Sequence, residues 1–99
     1  MEQPQHNAEG FYDAIAGGYD GMISFATRLE RARDFVGALL LRFPIPAAVD
    51  VGCGTGVYAL ALAERGVKAC GVDLSAAMLD EARRNGRELD LDVNWHHAS

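Results

Sequence analysis

The stretch AAVDVGCGTG, residues 47–56, decides how the rest of the chain is read. Five residues of almost unbroken apolar character run into glycines at 52, 54 and 56. A short apolar run of that length reads as a strand covered on both faces, which implies helices above and below it. Glycines placed between a strand and a helix allow positive backbone angles. They also let a ligand lie against the main chain near the positive end of the helix dipole.

Downstream the alternation continues. Residues 57–65 are rich in alanine and leucine and are closed by Gly66, the pattern of a helix with a left-handed cap. VKACGVD, residues 67–73, reads as a second strand. Ser75 can cap a helix running through Met78, Leu79 and Ala82 to Gly86, with Arg83 and Arg84 near its negative end. The tail from Val93 to Ala98 reads as a third strand. Upstream, Phe25, Leu29, Ala32, Val36, Leu39, Leu40 and Phe43 recur at spacings of three and four, and Pro44 and Pro46 stop that amphipathic helix. Residues 1–8 are a polar, frayed tail, and residues 9–43 are N-terminal helices, the first broken at Gly17 and Gly18. The fold class is therefore α/β: a Rossmann-like half domain with three parallel strands, flanking helices and right-handed crossovers.

Composition narrows the function. The chain has 99 residues, 49% of them hydrophobic and 23% charged, which suits one small packed domain. Its formal charge of -5 carries no basic run able to neutralise several phosphates, so nucleic acid is not the expected partner. Arg28, Arg31 and Arg33 cluster, but Glu30 and Asp34 are interleaved with them, as on a solvated helix face. Neither a membrane span nor a secretion signal is present in the sequence, and a cytoplasmic setting is expected. Cys53 and Cys70 lack metal-ligand spacing and read as free thiols. His96 and His97 are strand neighbours pointing to opposite faces, so no metal site is expected from them.

The glycine loop alone suits any nucleotide-like ligand. A Walker A loop would end in Gly-Lys-Ser or Gly-Lys-Thr, whereas residues 54–57 are Gly-Thr-Gly-Val. A dinucleotide loop places its third glycine three residues after the second, which from Gly54 would be Val57; here Gly56 comes one residue early. Asp50, within the apolar strand, is costly to bury unless a cation or several donors meet it, and so argues for a ligand with a positive group. Asp73, at the end of the second strand, is placed to accept from both hydroxyls of a ribose, although a helix-start acid favoured by the dipole explains it as well. A cationic amino-acid end joined to a ribose describes S-adenosylmethionine.

Residues 49–56, Val-Asp-Val-Gly-Cys-Gly-Thr-Gly, followed by Gly71-Val-Asp-Leu-Ser75, resemble class I S-adenosylmethionine-dependent methyltransferases. Tyr12-Asp13 and Tyr19-Asp20 look like the N-terminal lid helices of the small-molecule branch of that family. The resemblance runs from about Phe11 onward and makes residues 47–99 the cofactor-binding half of the fold. It implies that Gly52, Gly54 and Gly56 pass close to the methionyl part, that Cys53 lies within that loop, and that Asp50 orients the ammonium. It further implies that Asp73 grips the ribose and that Leu74 flanks the adenine. Met78 would pack on the adenine's other side, though a core place beside Leu79 and Ala82 is the simpler reading. Tyr12 and Tyr19 would close over the carboxylate end, or serve as amphipathic core aromatics.

The resemblance also implies a longer protein, with a second half supplying a pocket for a small-molecule methyl acceptor. The expectation is that this chain is a fragment or truncated product, inactive alone and with no catalytic residue of its own. The outer edge of the strand at 47–51 would then pair with another chain, giving self-association. Two other readings stand beside this one: a dimeric binding or assembly module of the same half-fold without catalysis, and a fragment of a nicotinamide-dependent oxidoreductase, which Val57 disfavours.

Overall fold

A computed structural model describes residues 24–98; the segments at 1–23, with Tyr12 and Tyr19, and Ser99 lie outside the described residues. Helix α1, Phe25–Arg42, turns Leu29, Ala32 and Val36 inward, and the chain leaves it in extended conformation at Phe43, ahead of the two prolines. Strand β1, Ala47–Val51, runs into the glycine loop. Helix α2, Val57–Glu64, buries Val57, Ala59, Leu60, Ala61 and Leu62, so it is apolar nearly all round. Its C-terminus is a complete Schellman closure. Gly66 adopts φ 86°, its N–H bonds to the Ala63 carbonyl, and the Val67 N–H bonds to the Leu62 carbonyl. Strand β2 spans Lys68–Asp73, helix α3 spans Ala76–Glu88, and strand β3 spans Asn94–His97.

The three strands form one parallel sheet in the order β1-β2-β3, with Asp50 opposite Gly71 and Asp73 opposite His97. Both crossovers return on the same side of the sheet, as right-handed connections stepping in one direction must. Ala69 and Gly71 on that side are buried and Ala48 and Trp95 partly so, while Val49 and Val51 on the other are 63% and 79% exposed. Among the described residues helices lie on one face of β1, which answers the expectation of helices above and below it on that face.

On the covered face the packing is close. The Trp95 indole lies across the backbone of β2, and a Cβ placed on Gly71 would come within 2.5 Å of its Cε3 and 2.9 Å of the Cys53 sulfur. The indole continues under Gly56, where a Cβ would meet Cη2 at 2.7 Å and the Ala82 Cβ at 3.3 Å. Gly56 also has φ 94° as it caps α2, so both its backbone angle and its neighbours exclude a side chain. The core proper joins α1, α2 and the covered strand face through Leu29, Ala32, Val36, Leu60, Ala69 and their neighbours.

Candidate functional site

The glycine loop is tied down from three sides. The N–H groups of Gly52 and Cys53 both donate to the Val72 carbonyl, at 2.7 and 3.0 Å. The Gly54 N–H donates to Asp73 Oδ2 at 2.7 Å. From α3, Asn85 Nδ2 donates to the Thr55 carbonyl at 3.0 Å, and from α1, Arg28 Nη2 donates to Thr55 Oγ1 at 2.9 Å. Thr55 itself is fully buried.

Asp73 is the hinge of the arrangement. It is 6% exposed, and its second oxygen accepts the Ser75 N–H at 2.9 Å, while its main-chain carbonyl accepts the Ala98 N–H at 2.9 Å. Loop, start of α3 and end of β3 are thus joined at one residue. A carboxylate has about four acceptor positions, so two backbone donors leave roughly half its capacity for a ligand. Ser75 caps α3, its Oγ accepting from the Met78 N–H at 3.1 Å, and His97 Nε2 lies 2.8 Å from the Leu74 carbonyl, holding the β2–α3 turn against β3.

A cavity of about 540 Å³ opens over the ends of β1 and β2. The structure brings together in its wall most of the residues singled out from the sequence: Asp50, Gly52, Cys53, Gly54, Asp73, Leu74 and Met78. Met78 is 2% exposed and Leu74 41%, so Met78 serves the core as well as the wall. Gly56 does not line the cavity; it is turned toward Trp95 and Ala82.

Electrostatically the cavity is unsettled. Asp50 Oδ2 is shut off from solvent and, among the described residues, has no hydrogen-bond partner. Burial pushes the Asp50 carboxyl above the usual carboxylate range, the nearby Asp73 adds to this, and a backbone hydrogen bond from Ala59 opposes it. Burial, with Asp73 and Asp50 adding, also pushes the Cys53 thiol up to about 12, which leaves it protonated and a poor nucleophile. Among the described residues no group of three His, Cys, Asp or Glu side chains could hold a metal ion.

A sequence profile described as a methyltransferase domain matches residues 48–99, more than half of the chain. The chain belongs to this methyltransferase family. Among relatives, it is 46% identical over 52 residues to a ubiquinone biosynthesis O-methyltransferase of Methylococcus capsulatus, a match covering 52% of this chain and 22% of that protein. The chain thus spans about a fifth of the length of such curated relatives. A solved S-adenosylmethionine-dependent methyltransferase from Clostridium acetobutylicum superposes with a TM-score of 0.65 at 26% identity, over 89% of this chain and 37% of that one. The magnesium protoporphyrin IX methyltransferase of Synechocystis, solved with bound SAH, shares the fold, with a TM-score of 0.73 at 18% identity over 98% of this chain and 52% of that one. The sheet and its flanking helices are therefore the Rossmann-like half of a methyltransferase fold.

Sequence reasoning misses two contributors. Arg28, read as part of a solvated helix face, instead reaches the loop and lines the cavity. Arg33 does remain at the surface, bridging Glu64 and Glu30. Tyr58, on the first turn of α2, also lines the cavity and meets Phe35 of α1 edge to face, with ring centroids 5.8 Å apart. The place of Tyr58 directly after the loop is a usable signal for the second; nothing local marks the first.

Proposed function

We propose that this chain binds S-adenosylmethionine in the cavity over β1 and β2 and forms the cofactor half of a cytoplasmic methyltransferase acting on a small-molecule acceptor. The observation that carries this reading is the buried Asp50 oxygen, without a hydrogen-bond partner among the described residues, in the same wall as the glycine loop and Asp73. A buried acceptor of that kind favours a cation beside it, and the cofactor's amino-acid end brings an ammonium. When bound, S-adenosylmethionine supplies an electrophilic methyl group on a sulfonium. The chain's own part is to position it. Asp50 orients the ammonium, the loop at Gly52 and Gly54 lets the methionyl part lie against the main chain, and the remaining acceptor capacity of Asp73 takes the ribose hydroxyls. Leu74 and Met78 offer apolar surface to the adenine. Tyr12 and Tyr19 are proposed to close over the carboxylate end. Two free thiols, Cys53 and Cys70, suit a reducing compartment. No helix among the described residues is long and apolar enough to cross a membrane.

Thermal melting tests the cofactor. S-adenosylmethionine at a hundredfold excess over its dissociation constant is expected to add roughly 2.7 kcal/mol of stability, and NAD none. Stabilisation by NAD and not by S-adenosylmethionine would overturn the assignment.

A second reading concerns assembly. Strand β1 is hydrogen-bonded on one side only among the described residues, and Val49 and Val51 stand exposed beside its outer edge. Such an edge is a template for another strand, and we propose that the 99-residue chain self-associates there. Sedimentation should show species larger than a monomer, reduced to monomer by Val49→Lys; a monomeric wild-type chain defeats the idea.

A further inference from the structure

We infer that Asn85 is a positioning residue for the cofactor's amino-acid end, acting from behind the glycine loop by fixing one peptide plane; the assignment rests on the S-adenosylmethionine reading above. Asn85 lies on the buried face of α3 with Met78, Leu79 and Ala82, is 5% exposed, and does not line the cavity. Packing alone favours an apolar side chain at such a place, because an amide buried without a partner is costly. The partner here is the carbonyl of the fully buried Thr55, which accepts from Asn85 Nδ2 at 3.0 Å.

That carbonyl belongs to the peptide unit between Thr55 and Gly56, and the N–H of the same unit donates to the Cys53 carbonyl at 3.0 Å. Carbonyl and N–H of a trans peptide point in opposite directions, so the two bonds together set its plane. The backbone does not set it unaided, because Gly56, at φ 94°, tolerates other orientations of the unit before it. The plane matters to the site because the turn it closes begins at Cys53 and Gly54, and both line the cavity where the methionyl part is placed. Without the Asn85 amide the Thr55 carbonyl is buried and unpaired. The unit then turns toward another donor, frees the Gly56 N–H and loosens that turn. Residues facing the adenosine part are held by bonds that do not pass through this unit. Asp73 accepts the Ser75 N–H at 2.9 Å, and Ser75 Oγ accepts the Met78 N–H at 3.1 Å.

The test compares two ligands on the full 99-residue chain. One is S-adenosylmethionine; the other is methylthioadenosine, which keeps the adenine, ribose and sulfur and lacks the amino-acid end. Dissociation constants are measured by ligand-observed NMR. Asn85→Leu, close in size and without a donor, should weaken S-adenosylmethionine about 10-fold, the range of one buried hydrogen bond, and leave methylthioadenosine within about twofold of wild type. Asn85→Ser, whose hydroxyl is too short to reach the carbonyl, should show the same selective loss. In wild type the Asn85 side-chain amide signals of a proton–nitrogen correlation spectrum should shift with S-adenosylmethionine and hold still with methylthioadenosine, which carries the test if neither variant folds. Equal weakening of both ligands, unchanged affinity for S-adenosylmethionine, or amide signals that respond alike to both ligands overturns the role of Asn85 and leaves the cofactor reading intact. Wild type binding neither ligand removes the cofactor reading first and this one with it.

Discussion

The two faces of the same three-stranded sheet are built from similar residues and have opposite fates. On one face Ala69 and Gly71 are buried and Trp95 lies so close that a single added carbon at Gly71 or Gly56 has no room. On the other, Val49 and Val51 carry larger apolar side chains and remain mostly in solvent, Val49 beside a groove of about 360 Å³ that Ala47 and Cys70 also border. Hydrophobicity therefore does not distinguish the faces; the presence of two crossover helices on one of them does. The candidate site sits where the packed face ends, so its loop geometry is inherited from that packing.

The sharpest way to break the comparison is Trp95→Ala. Removing the indole empties the space beneath Gly56 and Gly71, and the cavity so left should cost about 3 kcal/mol, read as a lower urea midpoint at unchanged slope. Because the loop rests on that indole, ligand affinity should fall with stability. Val49→Ser, made on the same sheet's open face, should change monomer stability by no more than about 0.5 kcal/mol. Similar losses from the two substitutions would mean the faces are not as different as the structure has them.

Much of this architecture is legible in the amino-acid sequence. The strand at 47–51 begins and ends where the apolar pattern places it, and α2, β2 and β3 differ from expectation by a residue at one or both ends. Period and glycine punctuation carry that information locally. The left-handed closure at Gly66 and the Ser75 cap are legible for the same reason. What fails is what depends on distant segments. An apolar strand reveals that both its faces tolerate burial, and not which segment does the burying, so the pattern at β1 suggests covers on both sides where the described residues supply one. Arg28 looks like its neighbours because charge spacing along α1 is silent about the loop 27 residues away in sequence. Nothing local marks Trp95 as a support for the glycines, since its contact with Gly71 exists only once β2 and β3 are in register.

Asp50 sharpens the comparison at smaller magnitude, because it sits at the packed face yet is held there unfavourably. Its folded carboxyl titrates above the usual range, chiefly through burial. The unfolded chain therefore gives up this proton first as pH rises, and stability falls from the ordinary aspartate value, about pH 3.9, until the folded group has also ionised. Asp50→Asn removes the charge and should gain about 1 kcal/mol for the ligand-free chain at neutral pH, with the gain vanishing below about pH 3.5. The same variant should weaken S-adenosylmethionine by about 10-fold or more. A residue that destabilises the empty fold and strengthens its ligand is a site residue; a variant losing both stability and affinity would make Asp50 structural instead.

The smallest effect lies outside both faces, at the surface contact between α1 and α2. Arg33 donates to Glu64 through Nε and Nη2 at 2.8 and 2.6 Å and to Glu30 through Nη1 at 3.0 Å. The hydrogen bond from Arg33 draws the Glu64 carboxyl below its ordinary value, so here the sign is reversed: the contribution is present above the unfolded glutamate value and is lost as pH falls through the lower folded one. Side-chain exposures of 37% and 25% allow solvent to screen the pair, and the bidentate geometry keeps it worth about 0.5 kcal/mol. Arg33→Ala should cost that much at neutral pH, less in 1 M salt, and almost nothing near pH 3, measured by urea denaturation. Since Asp50 and Glu64 titrate against stability in opposite directions, the double variant Asp50→Asn, Arg33→Ala should show a flatter acid profile than either parent. A double variant as pH-sensitive as the single variants would place the pH sensitivity in carboxylates other than these two.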